Sequence, residues 1–161
     1  MYQGGGIPTT ANLIQTEEHG TVMHGNILEA KAAPITCELR ELEPINIILV
    51  NGTPFEPTWD RLVRRYHYLG YSKMYGPRVK YLAMYQDKPL AAISFNRATL
   101  KVGVRDRFIG WDDTLKRQHL DQVVCNNRLL ILPWVRVRNL ASYLLSRTLR
   151  LLKEDWLRLY G

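Results

Sequence analysis

The residues best suited to chemistry lie where a predicted strand meets the last predicted helix. An apolar run at 129–132 ends at Pro133, and a helical pattern begins after Asn139. A helix start presents free backbone N–H groups and the positive end of the helix dipole, and both attract anions. Arg136 and Arg138 would add two positive charges there. The junction therefore predicts a phosphate site, and a plain Asn N-cap over a packing helix is the alternative.

The same junction resembles the loop of GNAT-type acetyltransferases. In those enzymes an Arg or Gln, two residues, a Gly, one residue and then Gly or Ala open a helix under the pyrophosphate of coenzyme A. Arg136 takes the first position here, Asn139 the first Gly position and Ala141 the last. A Cβ at a Gly position hinders close approach of a phosphate, so the match departs from the pattern there. The resemblance implies an acetyl-coenzyme A site made of Arg136, Arg138, Asn139, Leu140, Ala141 and Ser142.

Charge is distributed unevenly along the 161 residues, whose net charge is +7. Residues 1–58 contain 2 Lys and Arg against 7 Asp and Glu, whereas 59–161 contain 20 against 8. A segment with a net charge of +12 attracts polyanions, among which nucleic acid is the commonest partner. A basic surface that only keeps the protein in solution is the alternative.

A nucleic-acid-binding surface is predicted from the basic residues of this second segment. Its members are Arg64, Arg65, Lys73, Arg78, Arg105, Arg107, Arg136 and Arg138. Phe108 and Trp111 follow two of these arginines closely. They could stack on the bases of a single strand or anchor their loop on the core, and both interpretations stay open.

Composition argues against several other classes of site. Cys37 and Cys125 are isolated and the four His share no ligand spacing, so we predict no metal site. Asp112 and Asp113 fit helix caps better than a two-metal nuclease, and Asp106 lies between two Arg. No apolar run could span a bilayer, and the first residues lack an export signal. We therefore predict a cytoplasmic protein that does not contact a membrane.

Apolar periodicity predicts the elements that must position these residues. It indicates strands at 45–50, 78–85, 90–95, 100–104 and 128–132. It indicates helices that begin at Thr58, at Asp112 or Asp113 and at Asn139, with a charged loop at 105–111 and a break at Asn126 and Asn127. The core stripe of the last helix is predicted as Leu140, Leu144, Leu145, Leu149 and Leu152. This order predicts an α/β (α+β) fold, a GNAT-like mixed sheet with flanking helices.

The chain is predicted to divide into three segments. Residues 1–33 have no apolar period and form a flexible leader. Residues 34–58 hold one strand, and 59–161 form the basic domain. A buried strand followed by a long helix is expected to return to a further strand, so we predict that the sheet is incomplete at the C-terminal end.

Four segments of the basic domain resemble the DruA family, which is named for a component of the Druantia anti-phage defence islands. They are RYHYLGY (65–71), RDRFIGW (105–111), NNRLLILPWVR (126–136) and NLAS (139–142). The resemblance covers 59–161 and implies a bacterial protein of defence or mobile DNA, since related domains also lie beside or within transposases. It implies a longer domain than this chain contains, and it implies no particular reaction.

Three functional hypotheses follow. The leading one is a module that binds DNA or RNA and acts with other defence-system or transposase proteins. The rival is an acyl-coenzyme A-dependent N-acyltransferase, or a degenerate relative, that uses the junction for its cofactor. The third is a non-functional fragment of an interrupted gene. No catalytic residue is predicted, so whether the protein is an enzyme stays open.

Overall fold

Continuous apolar runs form a four-stranded sheet in this computed structural model, which describes residues 33–72 and 76–161. In spatial order its strands are β2 (Asn46–Leu49), β3 (Arg78–Tyr85), β4 (Lys88–Arg97) and β5 (Val124–Ile131). Every neighbouring pair is antiparallel. A separate parallel pair joins β1 (Ile35–Thr36) to β6 (Val135–Arg136). The predicted α+β class, a sheet with flanking helices, is confirmed.

Among residues 33–72 and 76–161, four α-helices accompany the sheet. They are α1 (Glu56–Tyr66), α2 (Gly103–Ile109), α3 (Asp113–His119) and α4 (Leu140–Tyr160). Single 3-10 turns occupy Leu39–Leu42 and Leu120–Gln122. None of the helices in the described part of the chain is long and apolar enough to cross a bilayer.

The central hairpin is buried on both faces because helices cover each side. The predicted strand at 78–85 is confirmed as β3, and a turn at Gln86 and Asp87 leads into β4. Lys80 bonds to α1, whereas the hydroxyl of the next residue, Tyr81, donates to Asp155 of α4 at 2.9 Å. Adjacent strand residues point to opposite faces, so α1 and α4 lie on opposite sides of the sheet.

The core on the α1 side follows the predicted helical stripe. Trp59, Leu62 and Val63 are buried, and the Trp59 indole N–H donates to the backbone oxygen of Ile93 at 3.2 Å. The predicted N-cap was wrong: α1 begins at Glu56, so Thr58 lies inside its first turn. Pro57 is tolerated there because the first helical N–H groups have no intrahelical partner.

The segment before β5 differs from its prediction. A strand at 100–104 and a loop at 105–111 were expected, but a helix, α2, covers 103–109, so both predictions were wrong. The β-branched residues Val102 and Val104 had favoured a strand. Asp112 caps α3 as predicted, accepting from two backbone N–H groups. The helix ends at His119 rather than near 124. The predicted break at Asn126 and Asn127 was also wrong, because both lie within β5.

Candidate functional site

The junction between β5 and α4 presents unpaired backbone amides. Asn139 occupies the N-cap position with φ 62° and ψ 6°, and its side chain caps nothing. The first helical bond runs from Tyr143 N–H to the Asn139 oxygen at 3.0 Å. The N–H groups of Ala141 and Ser142 precede that bond, so they have no intrahelical partner. The first turn of α4 contains no acidic residue, so no side chain within that turn offsets the positive end of the helix dipole.

The two junction arginines are exposed and unpaired. Neither Arg136 nor Arg138 makes a hydrogen bond or ion pair with any residue that the structure describes, although the backbone beneath them is fixed. The Ile35 N–H donates to the Trp134 oxygen at 2.8 Å, and Arg136 pairs with Thr36 across the β1–β6 ladder. A rigid backbone thus carries two free guanidinium groups beside the free amides.

Of the six residues predicted around the junction, only one belongs to the core. Leu140 is 1% exposed and anchors the start of α4 against the sheet. Asn139 and Ser142 are exposed, and Ala141 is half-buried. The five remaining residues can therefore meet a ligand, through guanidinium groups, backbone amides or the Ser142 hydroxyl.

Aromatic contacts place the end of α1 next to the junction. The Tyr66 ring meets the Trp134 ring edge-on at 5.3 Å, and the Arg65 guanidinium lies 5.5 Å from the Tyr66 ring. Arg64 is also exposed. Just beyond the helix, Tyr68 is 88% exposed and stacks on His67. We call the set Arg64, Arg65, Tyr68, Arg136 and Arg138 the α1–α4 surface.

Four predicted basic residues are not part of this set. Lys73 lies outside the described residues. Arg78 lines a cavity under α1. The guanidinium of Arg105 is held by Asp106, with its Nε 2.9 Å and its Nη2 2.6 Å from Oδ1. Arg107 is exposed on α2.

The predicted basic surface is divided between the two ends of the sheet. The helix α2 follows the last residue of β4, Arg97, which pairs with Val124 at the start of β5. The junction instead follows the last residue of β5, Ile131. A strand of this length separates its two ends by roughly 25 Å. The residues on α2 and those at the junction therefore belong to two separate surfaces.

A buried charge cluster under α1 was missed by the sequence analysis. Lys80 is 1% exposed, and its Nζ lies 2.8 Å from Glu56 Oε1 and 2.6 Å from Asp60 Oδ1. It also lies 4.9 Å from the centre of the Trp59 ring. Partial burial raises the pKa of Glu56, but hydrogen bonds from Lys80 and the Gly52 amide outweigh it, so that pKa is lowered. The sequence did contain a signal for this cluster, because Lys80 is a charged residue within an apolar strand pattern.

Polar residues on β4 and β5 extend this cluster across the sheet. Ser94 pairs with Lys80 on one side and with Arg128 on the other. The register shifts beside Ser94, and its hydroxyl donates to Asn127 Oδ1 at 2.8 Å. Arg128 donates to the Gly70 oxygen at 3.3 Å. Two segments of the family resemblance, 65–71 and 126–136, therefore meet here.

The polar residues Lys80, Ser94 and Arg128 connect neighbouring elements and leave little space for a ligand. The cavity that they line measures about 10 Å³, which is room for one water molecule. His67 is buried beside it, with Nδ1 accepting from the Leu69 N–H at 3.2 Å. Burial, and then the charge of Arg128, lower the pKa of His67 and favour its neutral form. Within the described residues, no three His, Cys, Asp or Glu come together as a metal site would require.

The fold and its surface define a basic α+β domain with two exposed arginines just before the start of α4. The chain belongs to the DruA family, because the family model described as Druantia protein DruA matches residues 9–161. The resemblance noted over 59–161 is thus confirmed and extends toward the N-terminus. Family membership associates the chain with Druantia anti-phage defence. No curated protein and no solved structure matches the chain.

Proposed function

We propose that this DruA-family chain serves anti-phage defence by binding DNA or RNA along the α1–α4 surface. We place this activity in the cytoplasm, together with other proteins of a defence system or mobile element. The observation that carries the proposal is the pair of exposed, unpaired guanidinium groups of Arg136 and Arg138 beside the free amides of α4.

The chemistry of this surface suits a phosphate backbone with accessible bases. Guanidinium groups bind phosphate oxygens through paired hydrogen bonds. The backbone amides at a helix start add further donors, and no side chain has to be ordered to present them. Tyr68, which is exposed beside Arg64 and Arg65, offers a ring on which a base can stack. Since stacking needs an open base, we expect single strands to bind more tightly than duplexes.

Binding measured across a salt series tests the proposal. Labelled single-stranded and duplex oligonucleotides are titrated with the wild type and with the double variant Arg136→Ala, Arg138→Ala. The slope of log K against log salt is negative, and each lost phosphate contact reduces its magnitude by about 0.7 for single strands. We expect the double variant to reduce that magnitude by about 1.4 and to weaken binding at low salt.

A matched double variant serves as the control. Arg150 and Lys153 are exposed on α4, and Arg150 lies roughly 15 Å along the helix from its start. Their replacement by Ala removes the same charge from a different place. Equal losses in the two double variants, or no binding even at low salt, would contradict the proposed site.

A second candidate function, binding of acetyl-coenzyme A, is favoured by the backbone of Asn139. Its φ of 62° lies in the left-handed region typical of Gly, at the position where the GNAT loop carries Gly. The amides of Ala141 and Ser142 and the guanidinium of Arg136 would hold the pyrophosphate. The cofactor would supply an activated acyl group.

Thermal unfolding with acetyl-coenzyme A tests this second candidate. A ligand at 100 times its Kd stabilises the folded state by about 2.7 kcal/mol, which raises Tm by several degrees. We expect Arg136→Ala to remove that rise and Arg150→Ala to keep it. An unchanged Tm in the wild type at millimolar cofactor would rule the candidate out.

A further inference from the structure

The segment that connects β4 to β5 has charged side chains inside and apolar side chains outside. Asp106 and Lys116 are each only 9% exposed. Val104 and Phe108, one turn apart on α2, are 74% and 91% exposed. This is the reverse of the usual distribution, in which charged residues are rarely buried and large apolar ones are rarely bare.

The buried charges fix the orientation of α2. Asp106 accepts from Arg105 through one carboxylate oxygen and from Lys116 Nζ through the other at 3.3 Å. Lys116 also lies 2.8 Å from Asp113 on its own helix. Rotation of α2 to bury Phe108 would break these hydrogen-bonded ion pairs, so they favour the orientation that leaves Phe108 outward. The outward apolar face is therefore held in place by the ion pairs beneath it.

Exposed apolar residues also occur along the chain on either side of this pair. The whole set is Leu100, Val102, Val104, Phe108, Ile109 and Leu115, each at least 38% exposed. Side chains at i and i+4 on a helix are neighbours, so Val104 and Phe108 form a continuous ridge. An exposed apolar ridge of this kind is a candidate interaction site.

Positive charge is in slight excess from Arg97 to Gln122, with 6 Lys and Arg against 4 Asp and Glu. All four acidic residues between Arg97 and Gln122 are engaged, by ion pairs (Asp106, Asp113, Asp121) or by capping α3 (Asp112). Three exposed cations have no ion pair within the described residues: Lys101, Arg107 and Arg117. The ridge therefore favours a partner whose apolar face is bordered by acidic side chains.

Two other occupants fit less well. A second copy of this chain would bring a positive rim against a positive rim, and like charges in contact are unfavourable. A single-stranded nucleic acid stacks on aromatic rings, and five of the six apolar side chains are aliphatic. An amphipathic helix laid on the ridge satisfies both the aliphatic surface and the rim.

We propose that the α2–α3 segment, through the ridge of Val104 and Phe108 and the cations Arg107 and Arg117, binds an acidic amphipathic helix of a partner protein. This site is separate from the α1–α4 surface and does not depend on the proposed nucleic-acid binding.

The test uses the full chain and a labelled helical peptide of about 18 residues, five turns, with Leu on one face and Glu on the borders. Fluorescence anisotropy measures the affinity of the peptide for the wild type and for two double variants. One double variant carries Val104→Ser with Phe108→Ser, and the other carries Arg107→Glu with Arg117→Glu. We expect each double variant to weaken binding by about tenfold or more, as loss of central contacts does. A peptide with Lys in place of Glu should bind at least about tenfold more weakly than the Glu peptide.

The control is Tyr68→Ser, which removes an exposed aromatic ring from the other surface and should leave peptide affinity unchanged. Circular dichroism confirms that each variant is folded, as expected for changes at exposed positions. Failure of the wild type to bind the Glu peptide, or equal binding of the Lys peptide, would overturn the proposal.

Two further outcomes would assign the ridge to another occupant and equally overturn it. If Val104→Ser, Phe108→Ser weakens oligonucleotide binding and leaves the peptide unaffected, the ridge is a nucleic-acid surface. If the wild type dimerises at micromolar concentration and this variant is monomeric, the occupant is a second copy. A loss of oligonucleotide binding caused only by replacing Arg136 and Arg138 concerns the α1–α4 surface. It does not bear on the ridge.

Discussion

At the scale of single residues, Lys80 shows how a charge is retained inside the sheet. Its ammonium group is removed from water but is bonded to two carboxylates, of Glu56 and Asp60, whose side chains remain about a quarter exposed. The Trp59 ring covers a further side. The cluster joins α1 to the sheet beneath it, so its main effect is on stability.

Replacing Lys80 by Met should destabilise the protein by about 3 kcal/mol, because two carboxylates then face apolar surface without a counter-charge. Adding Glu56→Gln and Asp60→Asn to that variant should recover most of the loss. Urea unfolding measures both free energies. A loss below about 1 kcal/mol in the single variant would show that water enters and hydrates the carboxylates.

His67 makes stability depend on pH. Its Nδ1 must be unprotonated to accept from the Leu69 N–H, and burial and the charge of Arg128 lower its pKa. The unfolded chain then binds a proton at a higher pH than the folded one, so stability falls as pH drops below about 6.5.

We expect His67→Asn, which keeps an acceptor and does not titrate, to flatten that loss. Urea unfolding between pH 8 and pH 5 compares the free energies of unfolding of the two proteins. Wild-type stability that rises on acidification from neutral pH, or an unchanged slope in the variant, would contradict this role for His67.

At the scale of elements, α4 shows where a helical stripe can mislead. The Leu pattern placed Leu149 in the core, but Leu149 is 51% exposed and Thr148 is fully buried. The stripe proceeds by fours through Leu140, Leu144, Thr148 and Leu152. Thr148 is tolerated because its hydroxyl donates to the Leu144 oxygen at 2.9 Å and leaves no polar atom unpaired.

Two matched substitutions test this helix face. Leu144→Ala should cost about 3 kcal/mol, since it removes a fully buried side chain and leaves a cavity. Leu149→Ala removes the same atoms from an exposed position and should change stability by less than about 0.5 kcal/mol. Thermal or urea unfolding measures both, and equal costs would place the other face of α4 against the sheet.

At the scale of the whole molecule, the charge boundary near residue 58 is not a structural boundary. Residues 33–161 form one unit by their contacts. Leu42, Ile45 and Val50 precede the boundary and are each at most 1% exposed, and β2 pairs with β3. Residues 33–58 and the basic segment therefore share one core.

A chain limited to 59–161 should consequently fail to fold, because it lacks three core residues, strand β2 and the first turn of α1. A chain of 33–161 should unfold in one cooperative transition. Circular dichroism and thermal unfolding of the two chains measure this. A folded 59–161 chain would show that the basic segment is independent.

Local patterns by themselves determined the hairpin, the start of α4, the charge of the basic segment and the resemblance to the DruA family. Each depends on residues close together in sequence, where strand period, helix period and turn chemistry act directly. The start of α4 after Asn139 was therefore predictable from 129–142, although the left-handed backbone of Asn139 was not.

Only the tertiary structure decided which distant residues meet. Lys80 finds its carboxylates at least 20 positions away, and Asp106 pairs with Lys116 on another helix. The pairing of Asp106 accompanies the outward apolar side of α2. The antiparallel pairing of β4 with β5 leaves Arg107 and Arg136 at opposite ends of the sheet. The physical reason is that strand register and ion pairing satisfy buried polar groups across the whole fold, and no local period encodes that requirement.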